Sequence, residues 1–214
     1  MKPTSIIGID FSLMKPSCCI FYDKQFRFMS WPKGLDGDLI SLYRDSGVEI
    51  INREDNDKEA KNMSIKARHE VESSHYICDL ISNYLRRYVD ETTLIAFEGS
   101  SFGSAGNVVI QLSSRRYFLM NKLWELTSIN HMFTYAPITV KKVAGCSFKG
   151  SKKKDMIESF ITDGPKCKLR DNLMKDKPSF MKKKSVNFKD HLDDLVDSYF
   201  VLKTLNEKED LCLF

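Results

Sequence analysis

The 214-residue sequence contains no C-x-x-C pair, and no histidine stands at zinc-like spacing from a cysteine. We therefore expect its six cysteines to be free and mostly buried thiols in a reducing compartment. No apolar run approaches the roughly 20 residues of a membrane span. The first residues also lack a basic region followed by a long apolar run. These absences predict no signal peptide, no membrane partner and a cytoplasmic location.

The composition is typical of a globular protein, with 42% hydrophobic and 29% charged residues. The length predicts one domain over residues 1–214, with insertions at about 33–63 and 163–187. The net charge of +4 is unevenly distributed, because residues 141–189 hold fifteen Lys+Arg against five Asp+Glu. A basic segment beside an acidic remainder predicts a polyanionic partner, and the alternative is a solvated lysine-rich surface.

Short apolar runs between turn residues predict the strands of a mixed sheet. The predicted strands are 5–11, 17–22, 26–31, 92–97 and 131–137, with a further possible strand at 48–51. Helical spacing and capping residues predict the helices 64–89, 107–128, 141–144, 151–162 and 189–206. This order indicates an α/β fold with a mixed five-stranded sheet and helices on both faces.

Two acidic residues stand at the ends of predicted strands. Asp10 closes the first strand, and Glu98 follows the strand 92–97 directly before Gly99. An aspartate in such a place often only caps a turn. However, the carboxyl edge of an open α/β sheet is where ligands bind, so Glu98 is a candidate functional residue.

The last predicted helix carries four aspartates on one stripe opposite its apolar face: Asp190, Asp193, Asp194 and Asp197. The four fall within about 100° of arc at the rotation of an α-helix. A solvated acidic face is one explanation. Like charges at these spacings repel, however, and a bound cation would make the cluster favourable. Carboxylates from separate segments are the ligands that pairs of Mg²⁺ ions use in phosphodiester hydrolysis.

Three motifs in this order resemble those of RuvC-type Holliday-junction resolvases, particularly the phage-encoded branch. The motifs are Gly-Ile-Asp-Phe-Ser-Leu at 8–13, Ile-Ala-Phe-Glu at 95–98 and Asp-Leu-Val-Asp-Ser at 194–198. The resemblance implies an RNase H-like fold and a homodimer that acts on four-way DNA junctions. It implies that two Mg²⁺ ions, with Mn²⁺ as an alternative, are bound at each site. The implied catalytic and metal-ligating residues are Asp10, Glu98, Asp194 and Asp197, with Asp193 as the rival to Asp194.

The resemblance also implies DNA-binding residues. Lys141 and one of Lys152, Lys153 and Lys154 correspond to lysines that contact DNA near the scissile phosphate. Phe102 lies near the position of an aromatic side chain that wedges into the junction, although a core phenylalanine is an equal alternative. The sequence departs from the family at Phe11, where proline is usual, and in its longer segments at 33–63 and 163–187.

The helix 107–128 has more apolar residues than one buried stripe requires. It is either sandwiched in the core or, as the resemblance implies, packed against a second subunit. The apolar residues are Val108, Val109, Leu112, Tyr117, Leu119, Met120, Leu123 and Trp124.

The sequence therefore predicts a metal-dependent, structure-selective endonuclease that resolves four-way junctions or other branched DNA. One alternative keeps the fold and changes the substrate to forks, flaps or RNA/DNA hybrids. The other is a non-catalytic DNA-binding module in which the acidic residues are structural.

Overall fold

A six-stranded mixed sheet runs through the described structure. The computed structural model describes residues 2–53, 63–99, 107–147, 153–180 and 191–214. The strands are β1 (Ser5–Asp10), β2 (Ser17–Tyr22), β3 (Gln25–Ser30), β4 (Val48–Ile50), β5 (Leu94–Glu98) and β6 (Met132–Tyr135). Their order is β4-β3-β2-β1-β5-β6, with β2 antiparallel to both neighbours and the other pairs parallel. The predicted fold class is confirmed, and the sheet has six strands rather than five.

Helices cover both faces of this sheet. They are α1 (Gly37–Asp45), α2 (Met63–Leu85), α3 (Asn107–Trp124), α4 (Pro137–Val143), α5 (Lys153–Asp163), α6 (Lys168–Phe180) and α7 (His191–Lys208). Buried residues of α2 and α3 pack with one face of the strands, and those of the other five helices pack with the opposite face. Alternate residues of β1 enter these two layers, because successive side chains of a strand point to opposite faces.

The β2–β3 hairpin has a two-residue turn where the sequence predicted three residues. Asp23 and Lys24 both have positive φ angles, of 49° and 59°. Two consecutive residues in this region form the hairpin turn whose twist matches that of the flanking strands. The turn fixes the register of β3, which therefore begins one residue earlier than predicted.

A close approach between β1 and α7 sets the position of the last helix. A Cβ atom built on Gly8 would lie 2.3 Å from the Ser198 carbonyl oxygen and 2.4 Å from the Leu202 nitrogen. Gly8 also pairs in register with Ala96 of β5, so two small residues lie side by side under the helix. The absence of a side chain at Gly8 is what lets α7 lie directly on the strand.

Two helices that were not predicted lie in the segments predicted as insertions at about 33–63 and 163–187. Residues 37–45 form α1, and the possible strand at 48–51 is present as the edge strand Val48–Ile50, parallel to β3. Residues 168–180 form α6, which is kinked at Asp176 two residues before Pro178. Helix α6 buries only Leu169, Leu173 and Phe180, so its apolar pattern is too sparse to stand out among lysines. The strand 17–22 has its predicted bounds, and the other predicted elements are present with shifted ends.

All six cysteines are free, and four of them are buried. No helix within the described ranges is long and apolar enough to span a membrane.

Candidate active site

Asp10 and Glu98 end two neighbouring parallel strands. The last register pair between β1 and β5 is Ile9 with Phe97, and each acidic residue follows its strand's member of that pair. Ile9 and Phe97 belong to the layer that packs with α2 and α3. Because side chains alternate along a strand, Asp10 and Glu98 lie on the opposite face, which α7 covers. The backbone of the two strands therefore allows the carboxylates of Asp10 and Glu98 to converge at one edge of the sheet.

The first turns of α7 bring further carboxylates to the same part of the sheet. Asp193 and Asp194 are only 5% and 4% exposed, and Asp197 is half-buried. The alternative of a solvated acidic face is therefore wrong for Asp193 and Asp194, and Asp190 lies outside the described residues. Their place in the first turn is favourable, since the amino-terminal end of a helix carries partial positive charge.

The loop between β1 and β2 holds the carboxylate of Asp194. Ser12 donates a hydrogen bond from Oγ to Asp194 Oδ2 over 3.0 Å. The backbone nitrogen of Lys15 donates to the same Ser12 Oγ over 3.0 Å. Lys15 Nζ lies 3.8 Å from Asp194 Oδ2. Residues that directly follow Asp10 in the chain therefore contact Asp194, which joins the first and third motifs in space.

Two hydrogen bonds hold the peptide group that joins Glu98 to Gly99. Arg116 of α3 donates from Nη1 to the Glu98 carbonyl oxygen over 3.0 Å. The next residue, Gly99, donates its N–H to the Tyr135 carbonyl oxygen at the end of β6 over 2.8 Å. Arg116 is buried, so a cationic group of α3 lies directly beneath the end of β5.

His191 begins α7 in a buried environment. Its ring packs edge-on against Tyr43 of α1, with 4.8 Å between ring centroids. Burial, and then the positive charge of Lys15, lowers the pKa of His191 to about 3. Neither ring nitrogen has a hydrogen-bond partner in the described part of the chain. His191 is therefore a neutral packing residue at the start of the helix.

The predicted DNA-binding residues are described only in part. Lys141 is half-buried in the last turn of α4, and Lys154 is exposed in the first turn of α5. Phe102 and Lys152 lie outside the described residues, and of Lys153 only the backbone is described. Both α4 and α5 pack against α7, so the lysine-bearing helices flank the helix that carries the aspartates.

The donor chemistry at this edge fits a hard divalent cation. Asp10, Glu98, Asp194 and Asp197 offer only carboxylate oxygens, which Mg²⁺ and Mn²⁺ prefer. Within the described ranges, no three His, Cys, Asp or Glu side chains are gathered into a metal-binding group. The four-ligand set, and the choice of Asp194 over Asp193, therefore stay predictions.

Four residues of this region were missed from the sequence. Ser12 lies inside the first motif, where its hydroxyl could have been noticed. Lys15 precedes Pro16, and this pair indicated only a turn. Arg116 and His191 lie in helices, where no neighbouring residue indicates a functional role. Their roles depend on contacts between segments that are distant in sequence, for example the 182 residues that separate Ser12 from Asp194.

No protein-family model matches the chain, and no curated protein matches it. The strand order and the helices on both faces define a mixed α/β fold. Among solved structures, the chain resembles Thermus thermophilus RuvC, with a TM-score of 0.52, 12% identity and coverage of 96% of each chain. It resembles T. thermophilus RuvC in complex with Holliday junction substrate with a TM-score of 0.50 at the same identity and coverage.

The yeast mitochondrial Holliday junction resolvase Ydc2 is a third similar structure. Its TM-score is 0.48 at 15% identity, with 99% of this chain and 81% of that chain covered. The likeness to the two Thermus structures confirms the predicted RuvC-like fold. The particular likeness to the phage-encoded branch stays a prediction.

Proposed function

We propose that this protein is a metal-dependent endonuclease that cuts branched DNA, and four-way junctions in particular. The observation that carries the proposal is the arrangement of acidic residues at one sheet edge. Asp10 and Glu98 end adjacent strands on the face covered by α7, and α7 begins there with two buried aspartates. Burying a carboxylate is costly, so buried aspartates in the helix that covers the ends of two acid-terminated strands favour a functional role for this edge of the sheet.

Asp10, Glu98, Asp194 and Asp197 would hold the cations. Two bound Mg²⁺ ions would supply an activated water molecule and charge stabilisation for the leaving oxygen of a phosphodiester. The chain's own residues orient this set. Ser12 and Lys15 fix the Asp194 carboxylate, and the amino-terminal end of α7 favours the negative charge of its first turn.

The DNA backbone would meet the lysines that flank α7. Residues 141–189 carry a large positive excess, and lysines that approach phosphates release counterions and give salt-dependent affinity. Lys141 and Lys154 are the described members of the predicted contact set, on α4 and α5. We propose a four-way junction as the substrate because this chain shares the fold of T. thermophilus RuvC, which has been solved in complex with a Holliday junction substrate.

A homodimer would supply two active sites for the two strands that must be cut. Ile110, Tyr117 and Trp124 follow each other at seven-residue intervals along α3 and are 65%, 62% and 50% exposed. We call these three residues the apolar stripe. A stripe of this kind can pack against its own copy across a twofold axis, which supports a second subunit as its partner.

The decisive experiment compares Asp10→Asn and Glu98→Gln with wild type on a fixed four-way junction. Each variant is expected to lose more than about a hundredfold in cleavage rate with Mg²⁺, because a ligand charge is removed. Junction binding is expected to stay within about threefold, because the DNA-binding lysines are unchanged. Glu72→Gln is the matched control, since Glu72 is an exposed acid on α2.

Full cleavage by Asp10→Asn would reject the active-site assignment. The same assay includes forks, flaps and an RNA/DNA hybrid. Preferred cleavage of one of these would keep the nuclease and replace the junction as substrate. Binding of branched DNA without Mg²⁺- or Mn²⁺-dependent cleavage would favour the non-catalytic module.

A further inference from the structure

The loop between β1 and β2 places a lysine on a buried aspartate. Lys15 Nζ lies 3.8 Å from Asp194 Oδ2, and the Lys15 side chain is only 15% exposed. Ser12 Oγ donates to the same oxygen over 3.0 Å and accepts a hydrogen bond from the Lys15 backbone nitrogen. One carboxylate oxygen therefore accepts a hydrogen bond from the Ser12 hydroxyl and forms an ion pair with the Lys15 ammonium, both from a single short loop.

Arg53 fixes the backbone of this loop. Its guanidinium donates from Nη2 to the carbonyl oxygens of Leu13 and Met14, over 3.1 and 2.8 Å, and from Nε to that of Trp31 over 2.7 Å. The backbone nitrogen of Lys33 also donates to the Met14 carbonyl oxygen over 2.8 Å. Arg53 is itself buried. These hydrogen bonds hold the loop against the residues that follow β3. The fold itself therefore sets the position of Lys15.

A buried carboxylate needs a compensating positive charge, and Lys15 supplies one to Asp194. A divalent cation that coordinates Asp194 needs the same oxygen atoms. The Lys15 ammonium repels such a cation at short range in a partly desolvated place, where charges interact strongly. A divalent cation and the Lys15 ammonium therefore compete for the carboxylate of Asp194.

We propose that Lys15 is the resident counter-ion of Asp194, and that it lowers the cation affinity of the site by competing for that carboxylate. The inference rests on the proposed function, since it assumes that Asp194 binds a cation. It assigns Lys15 two opposite effects. Lys15 stabilises the folded chain when no divalent cation is present, and it raises the cation concentration that the site requires. Lys15 acts through Asp194 and is a positioning residue rather than a catalytic one.

The test measures cation binding directly, with Mn²⁺ as the probe. Wild type, Lys15→Met, Lys15→Gln and Lys15→Arg are titrated with Mn²⁺ by calorimetry, and their thermal unfolding is recorded in EDTA and in excess Mn²⁺. Removing the charge is expected to tighten Mn²⁺ binding by roughly tenfold. It is also expected to lower Tm in EDTA and to enlarge the Tm increase that Mn²⁺ produces. Lys15→Arg keeps the charge and is expected to behave like wild type.

Lys208→Met is the matched control, because Lys208 is an exposed lysine at the far end of the same helix. It carries the same change in net charge and is expected to leave Mn²⁺ affinity unchanged. The proposal is overturned if both neutral Lys15 variants bind Mn²⁺ as wild type does, or more weakly. Slower cleavage with unchanged Mn²⁺ affinity would likewise overturn it, and would assign Lys15 to the DNA.

Failure of the proposed function gives a different result. If wild type neither binds Mn²⁺ nor cleaves branched DNA, the cation site itself is wrong and the competition by Lys15 is overturned with it. If wild type binds and cleaves while the neutral variants keep its Mn²⁺ affinity, only the role of Lys15 is rejected. A neutral variant that folds only with Mn²⁺ supports the proposal, since its buried aspartate then depends on the added cation.

Discussion

Arg116 of α3 donates a hydrogen bond to the backbone carbonyl of Glu98 over 3.0 Å, across the face of the sheet opposite to α7. The Glu98 side chain belongs to the α7 face, whereas Arg116 holds the same residue from the α3 side. With Gly99 bonded to Tyr135, both polar atoms of the peptide group between Glu98 and Gly99 are hydrogen-bonded. Arg116 therefore connects the helix that carries the apolar stripe to the predicted second metal ligand.

Replacing Arg116 with methionine is expected to lower kcat by about tenfold or more while the junction Kd changes little. Loss of the bond frees the Glu98 backbone, and small misplacements of a catalytic group are costly. The conservative variant Arg116→Lys keeps a donor and is expected to restore part of the rate. Single-turnover cleavage and binding assays separate the two effects.

Arg115→Met is the matched control for this prediction. Arg115 donates from Nε to Ser74 Oγ of α2 over 2.9 Å, so its loss weakens α2–α3 packing. The control is expected to lower Tm and keep kcat. Equal losses of kcat in both variants at equal loss of stability would show that Arg116 is merely structural.

Gly8→Ala tests whether the contact between β1 and α7 positions the two halves of the site. The new Cβ atom would meet backbone atoms of Ser198 and Leu202, which cannot move aside as a flexible side chain can. We expect the free energy of unfolding to fall by about 3 kcal/mol, at the upper end of overpacking effects. Chemical denaturation measures this change.

Gly37→Ala provides the comparison, since a Cβ atom at Gly37 meets nothing within 4 Å. Alanine in this first residue of α1 is expected to be neutral or stabilising by a few tenths of a kcal/mol. A Gly8→Ala variant as stable as Gly37→Ala would contradict the close approach of strand and helix.

The strands that deliver Asp10 and Glu98 could be predicted from sequence because their apolar character is local. Ser17–Tyr22 was predicted with the bounds that the structure has, and β1 and β5 differ only at their ends. Helix α1 was missed because Gly34 and Gly37 suggested a loop and only Leu39 and Tyr43 of its residues are buried. A helix with one or two buried residues leaves too weak a periodicity to recognise.

The burial of the aspartates in α7 could not be predicted from a helical projection. The projection separates polar from apolar faces, but it cannot tell whether the polar face meets solvent or another segment. In α7 both Asp193 and Asp194 are buried, and Asp194 contacts the loop that carries Ser12 and Lys15. The contact joins segments at opposite ends of the chain, and no local pattern encodes it.

The same limitation applied to α3, where the sequence left two interpretations open. Leu119 and Leu123 are buried, whereas Tyr117 and Trp124 are half-exposed or more, so the helix is not sandwiched on all sides. The exposed apolar stripe is therefore available to a second subunit, and the oligomeric state tests this directly.

We expect wild type to sediment as a dimer at micromolar concentration and Tyr117→Glu/Trp124→Glu to sediment as a monomer. Two buried charges at the centre of a twofold interface would face their own copies and cost far more than the contact supplies. Met174→Glu is the control, because Met174 is 54% exposed on α6, in the layer on the other side of the sheet. It is expected to stay dimeric.

A monomer should still nick a junction, but the second strand should be cut in a separate binding event, so nicked intermediates accumulate. A wild-type monomer, or a dimer that both charges leave intact, would exclude the stripe as the interface and leave the pairing of cuts to another surface.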